Sequence, residues 1–202
     1  MERPSRALLR LNLETRRHHA AADEGWLALL SPAAQRYDYV RQLIAAYGLH
    51  APLEAAFAYT PRLHLTLELR ERTRAGLLAQ DLLALGLKAS EIATLPQCLP
   101  IAPFGNPTEA LGWMYVTERA TLLHDSIRRY VVAKVPDATR ACAFLSAYEG
   151  IASARWLELG RALDRVAASD RAVDELIAAA HAGFRCAIAW SRGSVASYAR
   201  GA

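Results

Sequence analysis

At 202 residues, with 53% hydrophobic and 22% charged side chains, the chain has the balance of one folded domain with a substantial core, which excludes general disorder. Its formal charge of +4, from 24 basic against 20 acidic residues, is spread along the sequence with no basic block, so no nucleic-acid partner is expected. The three cysteines are far apart and carry no Cys-x-x-Cys pairing, which supports neither a disulfide framework nor a zinc knuckle; no apolar run has signal-peptide or bilayer length, so a soluble cytoplasmic protein without a membrane partner is the expectation.

From about Ser5 to Leu30, the positions Leu8, Leu11, Thr15, His19, Ala22, Trp26 and Leu29 step by three or four and share one helix face. Ser31-Pro32 reads as an N-cap followed by proline at the first helical position, opening a second helix through Tyr39, Leu43 and Tyr47 toward Phe57, with a kink at Pro52. Leu63, Leu65, Leu67 and Leu69 alternate as in a strand, but with no second strand to pair with, the segment is read as a loop or a helical start. A third helix runs through Arg70, Leu77, Leu78, Leu82 and Leu83 to a stop at Gly86, a short helix follows near Ser90 to Thr94, and Pro96, Pro100, Pro103 and Pro107 punctuate a loop. The clusters Arg70, Arg72, Arg74 and Arg128, Arg129 read as solvated helix faces.

Leu111 to Ile127 opens a long helix that ends before Pro136. Trp113, Val116, Ala120, Leu123 and Ile127 form its apolar stripe, and Arg119 and His124 flank that stripe on opposite sides. A guanidinium and an imidazole beside a core face need water, a partner or a ligand, so a site is sought here. Asp137 then caps a helix from Ala138 to about Ala168, with bends at Gly150 and Gly160, and a last helix spans about Asp170 to Tyr198. The pattern predicts an all-α, single-domain bundle of six to eight helices.

His19 lies in the inward stripe of the first helix, with Asp23 one turn on and His18 pointing aside. A histidine there is either a core residue with a hydrogen-bond partner or a metal ligand whose ring a carboxylate orients. Paired Glu-x-x-His ligands of a di-iron bundle are absent, as are a P-loop, a dinucleotide fingerprint and a nucleophile elbow.

Several stretches resemble one family, in its order along the chain. Thr15-x-x-x-His19-x-x-x-Asp23 resembles the proximal helix of haem oxygenases. YDYVRQLIAAYGLHAPLE (37–54), RTRAGLLAQDLLAL (72–85), LGWMYVTE (111–118) and the segment 144–163 with Trp156 resemble its later helices, the third of these being similar to the distal helix of bacterial forms found beside phytochromes. The resemblance implies a haem-oxygenase-like domain over residues 1–202, with haem held between the first helix and a distal helix at 111–131. His19 is then the proximal iron ligand, and no other metal is expected. Arg16 and Arg161 are implied partners for the propionates, and Asp23, Arg119, Ala120, Leu123 and His124 line the pocket. The implied reaction is O2-dependent, reductive ring opening to biliverdin, carbon monoxide and ferrous iron, with an electron donor and, by analogy, a phytochrome as partners.

Bacterial relatives continue the distal segment as Glu-Gly-Ser-x-Leu-Gly-Gly, whereas this chain has Glu118-Arg119-Ala120-Thr121-Leu122-Leu123-His124. Glycines there let a helix backbone approach and bend over a macrocycle, and Ala120 also removes a hydroxyl. Three outcomes stay open: haem bound and oxidised in a modified pocket, with Arg119 turned outward; His124 ligating the iron opposite His19; or side chains filling the pocket, which leaves a non-catalytic tetrapyrrole-binding or partner-binding protein.

Overall fold

The computed structural model describes residues 4–198, with side chains described through residue 193. Helix α1 (Arg6–Ala28) starts where its sequence says: the Ser5 hydroxyl accepts the Leu8 N–H at 3.1 Å and donates to the Gly160 carbonyl at 3.1 Å. One side chain thus caps α1 and ties it to a distant helix.

Helix α2 (Arg36–Tyr59) begins later than Ser31-Pro32 suggested. The chain leaves α1 in tight turns, and the Ser31 hydroxyl accepts the Ala33 N–H as part of that turn. Asp38 supplies the start instead, accepting the Gln35 N–H at 3.0 Å. Pro52 lies inside α2, and the helix continues past it for two turns. The alternating leucines make no strand; Leu63–Leu65 and Leu69–Arg72 are single 3-10 turns. Helix α3 (Ala75–Ala84) therefore starts after Arg70, and Gly86 at φ +96° ends it, followed by α4 (Ala89–Ala93).

The predicted long helix is two, α5 (Pro107–Ala120) and α6 (His124–Lys134), joined by a 3-10 turn at Thr121–Leu123. Asn106 caps α5 by accepting the Glu109 N–H at 3.0 Å. The single helix expected from Ala138 to Ala168 is also broken, into a 3-10 turn (Ala138–Arg140), α7 (Ala143–Ser146) and α8 (Ala152–Val166). Its starting signal is remote: the Asp81 carboxylate accepts the Ala143 and Phe144 N–H groups at 2.7 and 2.9 Å. Gly150, at φ +75°, adopts a left-handed conformation that no helix passes through. Asp137 is itself left-handed, at φ +66°, and makes no side-chain cap. Helix α9 (Asp170–Tyr198) matches its predicted span. The nine α-helices among the described residues exceed the expected six to eight because two long segments are each interrupted.

α9 lies along α5 at backbone distance. A Cβ at Gly112 would stand 2.6 Å from the Leu176 carbonyl oxygen, so only glycine permits this approach. Two apolar clusters result. One gathers Leu11, Leu111, Tyr115, Leu163 and Phe184; the other gathers Trp26, Tyr39, Leu43, Leu78, Ile127 and Phe144. Between them runs a layer of buried polar side chains from α1, α2, α5 and α6: Asp23, His50, Glu118, Arg119 and His124, joined by Arg72 and Arg74. Among the described residues, no helix is long and apolar enough to cross a membrane.

Candidate functional site

His19 lies on α1 one turn before Asp23 of the polar layer, and it is half-buried. Its Nε2 lies 3.2 Å from the Thr15 hydroxyl, and that hydroxyl spends its one proton on the Leu11 carbonyl at 2.6 Å. Nε2 therefore carries the hydrogen and donates to Thr15, which leaves Nδ1 with a bare lone pair. Burial, reinforced by the nearby Arg119 charge and opposed by Asp23, lowers the His19 pKa, so the ring is neutral near pH 7. A neutral imidazole is the form that binds a metal.

Arg119 comes from α5 on the far side of the gap. It turns inward, donates from Nη2 to the Asp23 carboxylate, and holds its guanidinium 5.8 Å above the Phe184 ring. Asp23 and Arg119 are only 8% and 9% exposed, so this is a buried ion pair spanning α1 and α5. Arg119 Nε has no hydrogen-bond partner among the described residues. Phe184 is fully buried, with its ring centroid 5.5 Å from both His18 and His19. Sequence reasoning missed Phe184 because only the alignment of α9 on α5 brings it to His19.

What remains open beside this pair is a cavity of about 70 Å³ bordered by Asp23, Trp26, Gln42, His50, Arg119, Ala120, His124 and Trp190; it reaches α1 at Ala22 and Asp23, one turn beyond His19, which does not border it. That is room for a few water molecules. Ala120, at the end of α5, faces it. Leu123 is partly buried and packs against the second apolar cluster instead. His124 is buried between Trp26 and Phe144, at ring distances of 6.0 and 4.8 Å, and burial holds its pKa well below the usual histidine value. Trp26 follows His19 by two helical turns, roughly 10 Å along α1, so His124 packs against a later part of α1 than His19. Arg16 is exposed, and Arg161 lies on α8 beside Trp156, Gly160 and Ser5 at the start of α1, away from His19.

The neighbouring residue, Glu118, was not singled out in the sequence, yet it anchors the wall. Its carboxylate accepts from Arg72 Nη1, from Arg74 Nη2 at 2.9 Å and from the Tyr148 hydroxyl at 3.0 Å, and it is 2% exposed. The expectation that Arg72 and Arg74 sit on a solvated face is thus corrected: a buried carboxylate draws both inside. No local signal marks this, since their partner is more than forty residues away. Among the described residues, no group of three or more His, Cys, Asp or Glu side chains is placed to hold a metal ion.

The family model described as Heme oxygenase matches residues 5–193. Among solved structures, the NO- and CO-bound heme oxygenase from Neisseria meningitidis shares the fold with a TM-score of 0.74, at 17% identity, over 93% of this chain and 91% of that one. No curated protein matches the sequence.

Proposed function

Because the chain belongs to the haem oxygenase family, whose members' defining ligand is haem, we propose that it binds haem or a related tetrapyrrole at His19 without opening the ring. The observation that carries this is Arg119, which stands where close approach calls for glycine and points inward onto Asp23. As the side chains stand, haem does not fit: about 70 Å³ is free, against roughly 300–1,000 Å³ for ordinary cofactor pockets. The donor chemistry does suit an iron, since His19 is neutral with one nitrogen bare.

Space must therefore come from movement, and Arg119 is the group able to supply it. Swinging the guanidinium out leaves the buried Asp23 carboxylate without its partner, a cost of up to about 3–5 kcal/mol that the ligand's own binding energy has to offset. An anionic carboxylate on the ligand's edge is a natural new partner for it. Ring opening is a different matter. The stem of Arg119 keeps the α5 backbone away from a bound macrocycle, and Ala120 offers no hydroxyl to fix a water or a bound gas. A protein that holds haem without oxidising it needs no electron donor, and the proposal includes neither a donor nor a phytochrome.

A second reading, in which the cleft is permanently closed, is favoured by Phe184, a fully buried ring that Arg119 rotation does not move. Hemin titration of the purified protein, His19→Ala and Arg119→Gly separates the two. The proposal expects a stoichiometric Soret shift that is lost in His19→Ala and at least about tenfold tighter binding in Arg119→Gly, a gain of roughly 1.4 kcal/mol. Binding by Arg119→Gly alone shows that Arg119 does not swing out unaided and overturns binding by the unaltered protein, whereas no shift in either protein is what the closed reading expects. No His19-dependent shift in either protein overturns haem at this residue, and biliverdin formed by the unaltered protein with reductant in air overturns the absence of oxidation.

A further inference from the structure

Cys98 and Cys186 are 88 residues apart in sequence, and the fold brings their sulfurs to 3.4 Å. Sequence spacing gave no reason to pair them. Cys98 is buried in the segment between α4 and α5, and Cys186 is half-buried on α9. The third cysteine, Cys142, is elsewhere, with its sulfur 3.8 Å from the Tyr39 hydroxyl.

The approach is built, not incidental. The Cys98 N–H donates to the Gly48 carbonyl at 2.8 Å, fastening the segment to α2. Gly48 is required there, because a Cβ would meet both the Pro96 carbonyl oxygen and the Trp190 ring at 2.4 Å. Trp190, one turn beyond Cys186 on α9, donates its indole N–H to the Ala45 carbonyl at 2.8 Å. Three separate pieces of chain are thus clamped around the two thiols.

We propose that Cys98 and Cys186 form a redox modification site, a dithiol that closes to an intramolecular disulfide with a small disulfide such as glutathione disulfide as the oxidant. Cys186, the more accessible sulfur, attacks first as thiolate; the glutathione S–S bond breaks, a mixed disulfide forms and one glutathione thiol leaves. Cys98 then attacks the Cys186 sulfur, the second glutathione leaves, and the two electrons and two protons lost by the cysteines end on two glutathione thiols. Burial and the neighbouring sulfur push the Cys98 thiol up to about 12, which argues against its making the first attack; in the second step its 3.4 Å approach to the Cys186 sulfur compensates for the small thiolate fraction.

The bond would act on the site already described. Phe184, which packs on His19, and Ala187, Trp190 and Ser191, which border the cavity, flank Cys186 on α9. Oxidation therefore fixes one wall of the cleft, whatever ligand the cleft takes.

The test uses the full chain equilibrated with glutathione disulfide, and reads thiol count, intact mass and melting temperature. Reduced protein should titrate three thiols and oxidised protein one, with the loss of two hydrogens and no bound glutathione. Closing a loop of this length should raise the melting temperature by about 9–18 °C. Cys98→Ser should trap one glutathione on Cys186 and show no thermal gain, whereas Cys142→Ser should titrate two thiols when reduced and none when oxidised, with the same thermal gain as the unaltered protein. Three thiols persisting after oxidation, or a mixed disulfide that accumulates in the unaltered protein without resolving, overturns the proposal. The thiol count alone decides the matter if a variant fails to fold.

Discussion

Replacing Asp23 by Asn tests whether the Arg119 ion pair closes the cleft. The substitution keeps shape and removes one charge, leaving a guanidinium that is 9% exposed and already lacks a partner at Nε. Removing one member of a buried pair costs about 3–5 kcal/mol, and the lower end applies because a long arginine can relax outward. For a chain of this size each kcal/mol lowers the melting temperature by about 2–4 °C, so Asp23→Asn should lose about 6–12 °C. The double variant Asp23→Asn/Arg119→Met, in which no charge is stranded, should return to within about 1 kcal/mol of the unaltered protein. Urea unfolding at fixed slope, run as a double-mutant cycle, then reads a coupling of at least about 2 kcal/mol. An Asp23→Asn variant within about 0.5 kcal/mol of the parent, or a double variant equal to the sum of the singles, would show that the pair behaves as a surface contact and does not close the cleft.

Two further outcomes follow from the same structure. His124 and His50 are buried with pKa values lowered chiefly by desolvation, so the unfolded chain takes up protons near pH 6.5 that the folded one refuses; their contribution is complete above that pH and is lost as pH falls below it. Stability measured by urea should decline below about pH 6.5 with a slope that His124→Phe reduces by up to roughly 1.4 kcal/mol per pH unit, and an unchanged slope contradicts the assignment. Gly112→Ala drives a Cβ against the Leu176 carbonyl oxygen and should cost about 1–3 kcal/mol by forcing α5 and α9 apart. Gly76→Ala, in open space on α3, should instead gain about 0.5–1 kcal/mol, and equal urea midpoints for the two would refute the close approach.

The parts of this molecule that were legible in the sequence carry their own instructions. α1 and α9 have local start signals and unbroken periodicity, and their bounds agree with the reading to within about two residues. The segment after Pro136 failed because α7 is started by Asp81, a carboxylate more than sixty residues away. Thr15, His19 and Asp23 were visible as a constellation, since α1 alone sets their spacing. Their partners were not: Asp23 finds Arg119 and Glu118 finds Arg72 and Arg74 only when separate helices meet. Charge run and charge layer look the same in one dimension. Cys98 and Cys186 fail to show for the same reason.

Glu118 has one more effect, through its place next to Arg119. Withdrawing the end of α5 would strand the Arg72 and Arg74 guanidiniums, at a cost typical of broken buried pairs. The backbone under Arg119 is therefore a fixed mount, and the part left to move is a side chain. Reorientation of one side chain, even from a buried ion pair, needs no helix shift, and helix shifts take microseconds or longer. Ligand capture should then follow a single phase whose rate keeps rising with ligand concentration, with no plateau set by a slow conformational step.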